Sequence, residues 1–336
     1  MPTSPGSPAS SSPRIIFMGT PEFAVSSLDA ILRAGYNIVA VITAPDKPAG
    51  RGMQLTESAV KKYAREKDLP ILQPEKLKAR AFLDQLRALS ADLQIVVAFR
   101  MLPEIVWNMP PMGTINLHGS LLPQYRGAAP INWAVINGET ETGVTTFKLQ
   151  HEIDTGNILL QQRIPIGPAE TAGEVHDRMK EIGAQLLVRT IDGLTAGTLH
   201  EIPQNPALLQ PAIPGSALIG APFPLKHAPK IFTETGRIDW TQPMANIYNL
   251  TRGLSPFPAA FTYLDGKLVK IYHAEKDPAP PTLPPGQPDT DNRSYLRFAA
   301  SDGYIRITDL QLEGKRRMNI ADFLRGYKPR PTQPPK

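Results

Sequence analysis

Nearly continuous apolar runs, separated by amphipathic stretches, set the grammar of the first two hundred residues. RIIFMGT (14–20) reads as a strand covered on both faces, and PEFAVSSLDAILRAG (21–35) as a helix with proline at its start. NIVAVITAP (37–45) predicts a second strand, Glu57 to Lys67 a helix, LPILQP a short strand, 80–89 a helix and LQIVVAF (93–99) a strand. GTINLHG (113–119), a helix around Ile131–Asn137, the strands TGVTTFKLQ and NILLQQRIPI, and a long helix over 171–196 complete the series. Such alternation predicts an α/β fold: a Rossmann-like, mostly parallel sheet with helices on both faces, over residues 14–200.

The pattern changes near residue 200. Five prolines between 203 and 222 mark a semi-rigid, proline-rich linker over 201–222. Beyond it a helix at 243–252 precedes AFTYLD, KLVKIYHAE, YLRFAAS and YIRITDLQLE, strands without intervening helices. These predict a small β-barrel over 223–330. KDPAPPTLPPGQPDTDN (276–292), between two of the strands, reads as a mobile loop. The opening MPTSPGSPASSSP (1–13) has neither the apolar core of a secretory signal nor the arginines of a transit peptide, and reads as a disordered cytoplasmic tail.

Composition refines this picture. A chain of 336 residues has room for two domains, and 41% hydrophobic with 20% charged residues is an ordinary globular balance. No apolar run approaches the ~18–20 residues of a membrane span. Without cysteine, disulfides and thiolate metal sites are excluded, and a reducing, cytoplasmic compartment is expected. The net charge of +5 is unevenly spread. Residues 1–222 carry 19 Lys/Arg against 20 Asp/Glu, and residues 223–336 carry 17 against 11. The excess positive charge of the last third is what a nucleic-acid contact surface would produce, although an idle basic surface gives the same count.

Candidate chemistry sits in GTINLHGSLLPQYRGAAP. Asn116 and His118 lie two apart on a strand, so their side chains project to one side. HEIDTG places Asp154 at the end of the strand run TGVTTFKLQ. An amide, an imidazole and a carboxylate are the parts needed for acyl transfer to a nitrogen nucleophile. Each residue also has a plain structural reading: a hydrogen-bonded histidine, a turn-capping asparagine, an ordinary Asp-Thr-Gly turn. An aspartic protease would need two facing Asp-Thr/Ser-Gly motifs, and the chain has one. FMGTPEFA, after the first strand, has one glycine where a dinucleotide fingerprint needs three, which argues against an NAD(P) oxidoreductase. No HExxH or Cys/His cluster offers a metal site.

SLLPQYRGAAP directly after the histidine, with HEIDTGNI downstream, resembles the folate-dependent formyltransferases that use 10-formyltetrahydrofolate. FMGTPEFA, APDKPAGRG (44–52) and GKRRMNIADFLRG (314–326) narrow the likeness to members that formylate initiator methionyl-tRNA. The resemblance runs in register from about residue 14 to 328. It implies an OB-like fold for the last domain, a tRNA-binding role there, and 10-formyltetrahydrofolate as co-substrate with no metal and no membrane; a monomer is expected. It implies that Asn116, His118 and Asp154 are catalytic, with the division of proton transfer between His118 and Asp154 open. Ser120, Leu121, Leu122 and Pro123 would form the turn against the folate, and Phe99 would flank its pterin. Arg100 departs from the family, which carries a small residue there. Phe23 would meet the methionyl side chain, with a plain core role as its rival. Arg51 would contact RNA from an inserted loop, and Lys315, Arg316 and Arg317 would touch tRNA phosphates. A formyltransferase for another amine, such as an amino sugar or glycinamide ribonucleotide, shares the trio but has no use for the arginine loop and basic barrel. A non-catalytic RNA-binding module would leave the trio idle.

Overall fold

A computed structural model describes residues 12–49, 54–204 and 224–327. Nearly all of the expected tail and most of the expected linker lie outside the described residues. In chain order come β1 (Arg14–Gly19), α1 (Glu22–Arg33), β2 (Asn37–Ile42), β3 (Lys47–Ala49), β4 (Gln54–Thr56), α2 (Ala59–Glu66) and β5 (Ile71–Leu72). Next are α3 (Arg80–Ala88), β6 (Leu93–Val97), α4 (Glu104–Trp107), β7 (Thr114–His118), β8 (Arg126–Gly127), α5 (Pro130–Ile136), β9 (Glu141–Lys148), β10 (Ile158–Pro165) and α6 (Ala172–Thr195). Two compact units emerge. The first comprises residues 1–123, 143–162 and 179–224; the second comprises 124–142, 163–178 and 225–336.

The main sheet has the order β10-β9-β7-β6-β1-β2-β5. β1, β2, β5, β6 and β7 run parallel, whereas β9 pairs antiparallel with β7. The fold is therefore a parallel-rich mixed sheet. Residues 15–18 of β1 are all fully buried, which is why that strand reads as an unbroken apolar run. On one face Ile16, Met18, Ala40, Ile42 and Val96 pack with Phe82, Leu83 and Leu86 of α3 and Val106 of α4. On the other, Leu117 lies under Gly183 of α6, where a Cβ would come within 2.9 Å of its Cδ2. Thr146 and Thr190 share a 2.8 Å hydrogen bond on that face, and Ser26 of α1 donates to Glu181 at 2.9 Å. Helices thus cover both faces, as the alternation predicts.

APDKPAGRGMQLT, expected as a loop, holds the short antiparallel hairpin β3–β4 in register Lys47↔Thr56 to Ala49↔Gln54. A pair this short and polar leaves no periodicity to detect.

The second unit adds β11 (His227–Ala228), α7 (Met244–Gly253), β12 (Ala260–Leu264), β13 (Lys267–Asp277), β14 (Pro288–Thr290), β15 (Leu296–Ala299), β16 (Tyr304–Leu312), β17 (Met318–Asn319) and α8 (Ile320–Gly326). Its antiparallel sheet has the order β12-β13-β16-β15-β14, with β17 on β16. Inward residues Val269, Ile271, Leu296, Phe298, Ile305, Ile307 and Leu310 form its core with Ile247 of α7 and Leu254 just after it, and Trp240 stacks on Phe298 at 4.8 Å. The proline-rich segment 276–292 differs from the mobile loop expected. Thr282 N donates to Tyr304 Oη (2.8 Å), Gly286 N donates to Ala299 O (2.8 Å), and residues 288–290 pair with β15. Proline removes donors but leaves Thr282 and Gly286 free to bond, and those two pin the segment. Tyr304→Phe should cost about 1 kcal/mol and speed proteolytic cleavage within 278–287. Cleavage at the parental rate would show that the hydroxyl does not hold the segment.

Candidate active site

β7 runs between β6 and β9, and its register sets the site. Asn116 faces Val96 on one neighbour and Phe147 on the other, and His118 faces Thr145. By alternation Asn116 and His118 share the face of Met18 and Val96, while Leu117 points toward α6. His118 is buried, 6% exposed, and Asn116 is half-buried. The Asn116 carboxamide makes no hydrogen bond to any described residue, so its N–H donors remain open to an incoming group.

Asp154 reaches the same place from the β9–β10 connection. Its Oδ2 lies 3.8 Å from His118 Nδ1, close enough for charge coupling and just beyond a hydrogen bond. The turn carrying it is pressed against β9. A Cβ on Gly156 would overlap the Lys148 carbonyl oxygen, so only glycine fits there. Asp154 itself takes a left-handed backbone (φ 54°), a conformation aspartate tolerates better than most residues. Gln204 Nε2 donates to the Asp154 and Gly156 carbonyls at 2.9 and 2.7 Å, closing the turn from the far side.

Ser120, Leu122 and Pro123 are buried and Leu121 is partly exposed. This turn has supports that sequence reading missed. Thr145, fully buried and opposite His118, donates to Ser120 O (2.6 Å) and accepts from Leu122 N (3.1 Å). Gln161 Nε2 donates both to Thr145 Oγ1 and to Leu122 O, each at 2.9 Å. The signal in the sequence is the pair of threonines inside the otherwise apolar strand TGVTTFKLQ, since a buried hydroxyl must find partners.

Other expected positions fall as follows. Phe23 is a buried residue of α1. Arg51 lies outside the described residues; just before β3, Asp46 accepts from Lys61 and from Gln73 Nε2 (2.8 Å). Those two hydrogen bonds, Lys61 first, hold the Asp46 carboxyl below its usual range. Arg100 folds back on the loop after β5, donating to Pro74 O and Glu75 O (2.9 Å) with its guanidinium over the Phe99 ring at 5.4 Å. Lys315 and Arg316 are exposed, whereas Arg317 is held by Asp309 (2.6 Å) and lies over the Tyr272 ring. Among the described residues no His, Cys, Asp and Glu group could hold a metal ion, and no helix is long and apolar enough to cross a membrane.

Residues 13–191 match the family described as Formyl transferase, and residues 230–328 match Formyl transferase, C-terminal domain. The chain belongs to the formyl transferase family. A curated relative, the methionyl-tRNA formyltransferase of Parabacteroides distasonis, is 58% identical over 94% of this chain and 96% of its own. Among solved structures, HypX from Aquifex aeolicus aligns with a TM-score of 0.62 at 18% identity over 97% of this chain; the chain spans 50% of that protein. The sugar 3N-formyl transferase WlaRD, solved with dTDP and 5-N-formyl-THF, aligns with a TM-score of 0.62 at 20% identity, covering 90% of this chain and 98% of that one. At such identities these two likenesses speak for the formyltransferase fold alone.

In a formyltransferase an amine adds to a formyl carbon, and the carbonyl oxygen gains charge as it does so. A free amide donor beside a buried imidazole can answer that charge, because low local dielectric strengthens hydrogen bonds to it. Gly156→Ala should displace the Asp154 turn. The expected result is a loss of about 1–3 kcal/mol of stability and a drop in formyl transfer exceeding that from unfolding alone. Unchanged melting and turnover would show that the close approach to Lys148 is dispensable.

Proposed function

We propose that the protein transfers the formyl group of 10-formyltetrahydrofolate to the α-amine of initiator methionyl-tRNA. The observation that carries the reading is the meeting of Asn116, His118 and Asp154 at the end of β7, in a chain 58% identical to a methionyl-tRNA formyltransferase. The amine nitrogen of the aminoacyl ester attacks the formyl carbon, forming a C–N bond and a tetrahedral centre with a negative oxygen. Asn116 donates a hydrogen bond to that oxygen. His118, oriented by Asp154, moves the proton released by the amine toward the folate N10 as the C–N10 bond breaks. Ser120, Leu121, Leu122 and Pro123, backed by Thr145 and Gln161, bear on the folate. No step needs a metal.

The sheet-bearing part of the chain is the catalytic domain in this reading, and the antiparallel sheet of the second unit is an OB-like platform for tRNA. The excess of Lys/Arg after residue 222 supports that platform. Phe23 lines the methionyl pocket, Arg51 meets the acceptor end, and Lys315, Arg316 and Arg317 track phosphates. The protein works as a cytoplasmic monomer.

The test is formylation of purified methionyl-tRNA by 10-formyltetrahydrofolate, with free methionine and uncharged tRNA as controls. Only the charged tRNA should be formylated. Asn116→Ala should lower turnover about 10²–10³-fold, and His118→Ala about 10²–10⁴-fold, with folate affinity little changed. Near-normal turnover in either variant would sink the mechanism, and formylation of free methionine at a comparable rate would sink the tRNA assignment.

A further inference from the structure

Arg252, in the last turn of α7, is a buried cation without a paired carboxylate. It is 6% exposed. Its Nε donates to Asn249 Oδ1 (2.9 Å) and its Nη1 to Glu170 O (3.0 Å), while Nη2 donates to no described residue. Burial pulls the guanidinium below its ordinary range, and Glu170, which offsets part of that effect, is itself paired with Arg178 at 2.7 Å. A buried charge with unused donors is costly unless something answers it.

Arg252 lines a small cleft with Thr171, Tyr248, Thr251, Tyr272 and His273. No carboxylate lines it. Glu174, whose carboxyl feels His273, is spent on Thr171 N and Oγ1, both at 2.8 Å. The Lys276 ammonium lies 5.2 Å from the Tyr248 ring centre, and Arg317 lies 4.3 Å from that of Tyr272. The cavity holds about 10 Å³, room for one water-sized group and too little for a metabolite.

We propose that this cleft is an oxyanion site that takes one non-bridging oxygen of a phosphodiester, with Arg252 Nη2 and the His273 ring as its donors. Size argues for an oxygen presented from a passing polymer rather than for an enclosed free phosphate. That the polymer is tRNA rests on the function proposed above.

The experiment uses the full chain with His273→Glu, an exposed position whose change spares the core, and Arg252→Lys, which keeps the charge but shortens its reach. Binding of labelled methionyl-tRNA is measured across a salt series, alongside titration with inorganic phosphate followed through the His273 ring resonances. His273→Glu should weaken tRNA binding several-fold and reduce the log–log salt slope by about one; Arg252→Lys should weaken binding in the same direction. Free phosphate should perturb His273 only at concentrations where it also competes with tRNA. Unchanged affinity and slope in both variants would overturn the site. So would tight phosphate binding with no effect on tRNA, which would assign the cleft to the free ion. Formylation by the parental protein, run in parallel, separates the two readings: if it formylates methionyl-tRNA while the variants bind normally, only the cleft assignment fails.

Discussion

The register of β7 is the constraint on which the proposed chemistry depends. Side chains alternate along a strand, so sliding β7 by one residue would put Leu117 where His118 stands and turn the imidazole into the packing beneath α6. Several contacts forbid that slip. β6 and β9 bracket the strand with fixed partners, and Leu117 fills the space that the missing side chain of Gly183 leaves. The burial of Ile115 and Leu117 on one face is therefore also what aims Asn116 and His118 at the other.

Around that strand the two turns are held by further polar groups. Thr145 answers His118 across the sheet and bonds the backbone of the turn that follows it, and Gln161 bonds Thr145 in turn. Gly156 and Gln204 do the equivalent for Asp154. These bonds are largely shielded from water, so losing one leaves a buried group unsatisfied and costs more than the bond's modest net worth. A trio built from three chain positions keeps its geometry through these supports.

In the second unit, net charge overstates the positive surface on offer. Arg317 is committed to Asp309, Arg297 lies between Asp277 and Asp289, and Arg178 is paired with Glu170. Among the described residues, exposed cations outside these pairs include Lys315 and Arg316 on their turn together with Arg237, Lys267, Arg293 and Arg306, while the Arg252 guanidinium is buried. A count of charged residues, made along the chain, is blind to this pairing because the partners, eight to twenty residues apart, meet only once the strands and turns between them have formed.

The sequence by itself determined most of the main elements and the family. Continuous apolar runs and helical spacing are local properties, and they sufficed for β1, α1, β2, α3, β6, β7 and α6, since burial on both sides or on one stripe dictates those patterns. Asn116 and His118 were legible because two residues apart on a strand means one side, and the motifs around them were long enough to name a family. Tertiary structure alone decided what depends on distant partners. The antiparallel entry of β9 follows from pairing with β7, which no local pattern encodes. The approach of Asp154 to His118 depends on a turn that fits only because Gly156 lies against Lys148. The proline-rich stretch 276–292 is tied down by Tyr304 and Ala299, residues beyond its own end. Patterning carries what each segment does with its own backbone and water; register, turn docking and charge pairing are settled between segments, where only the folded chain brings the partners together.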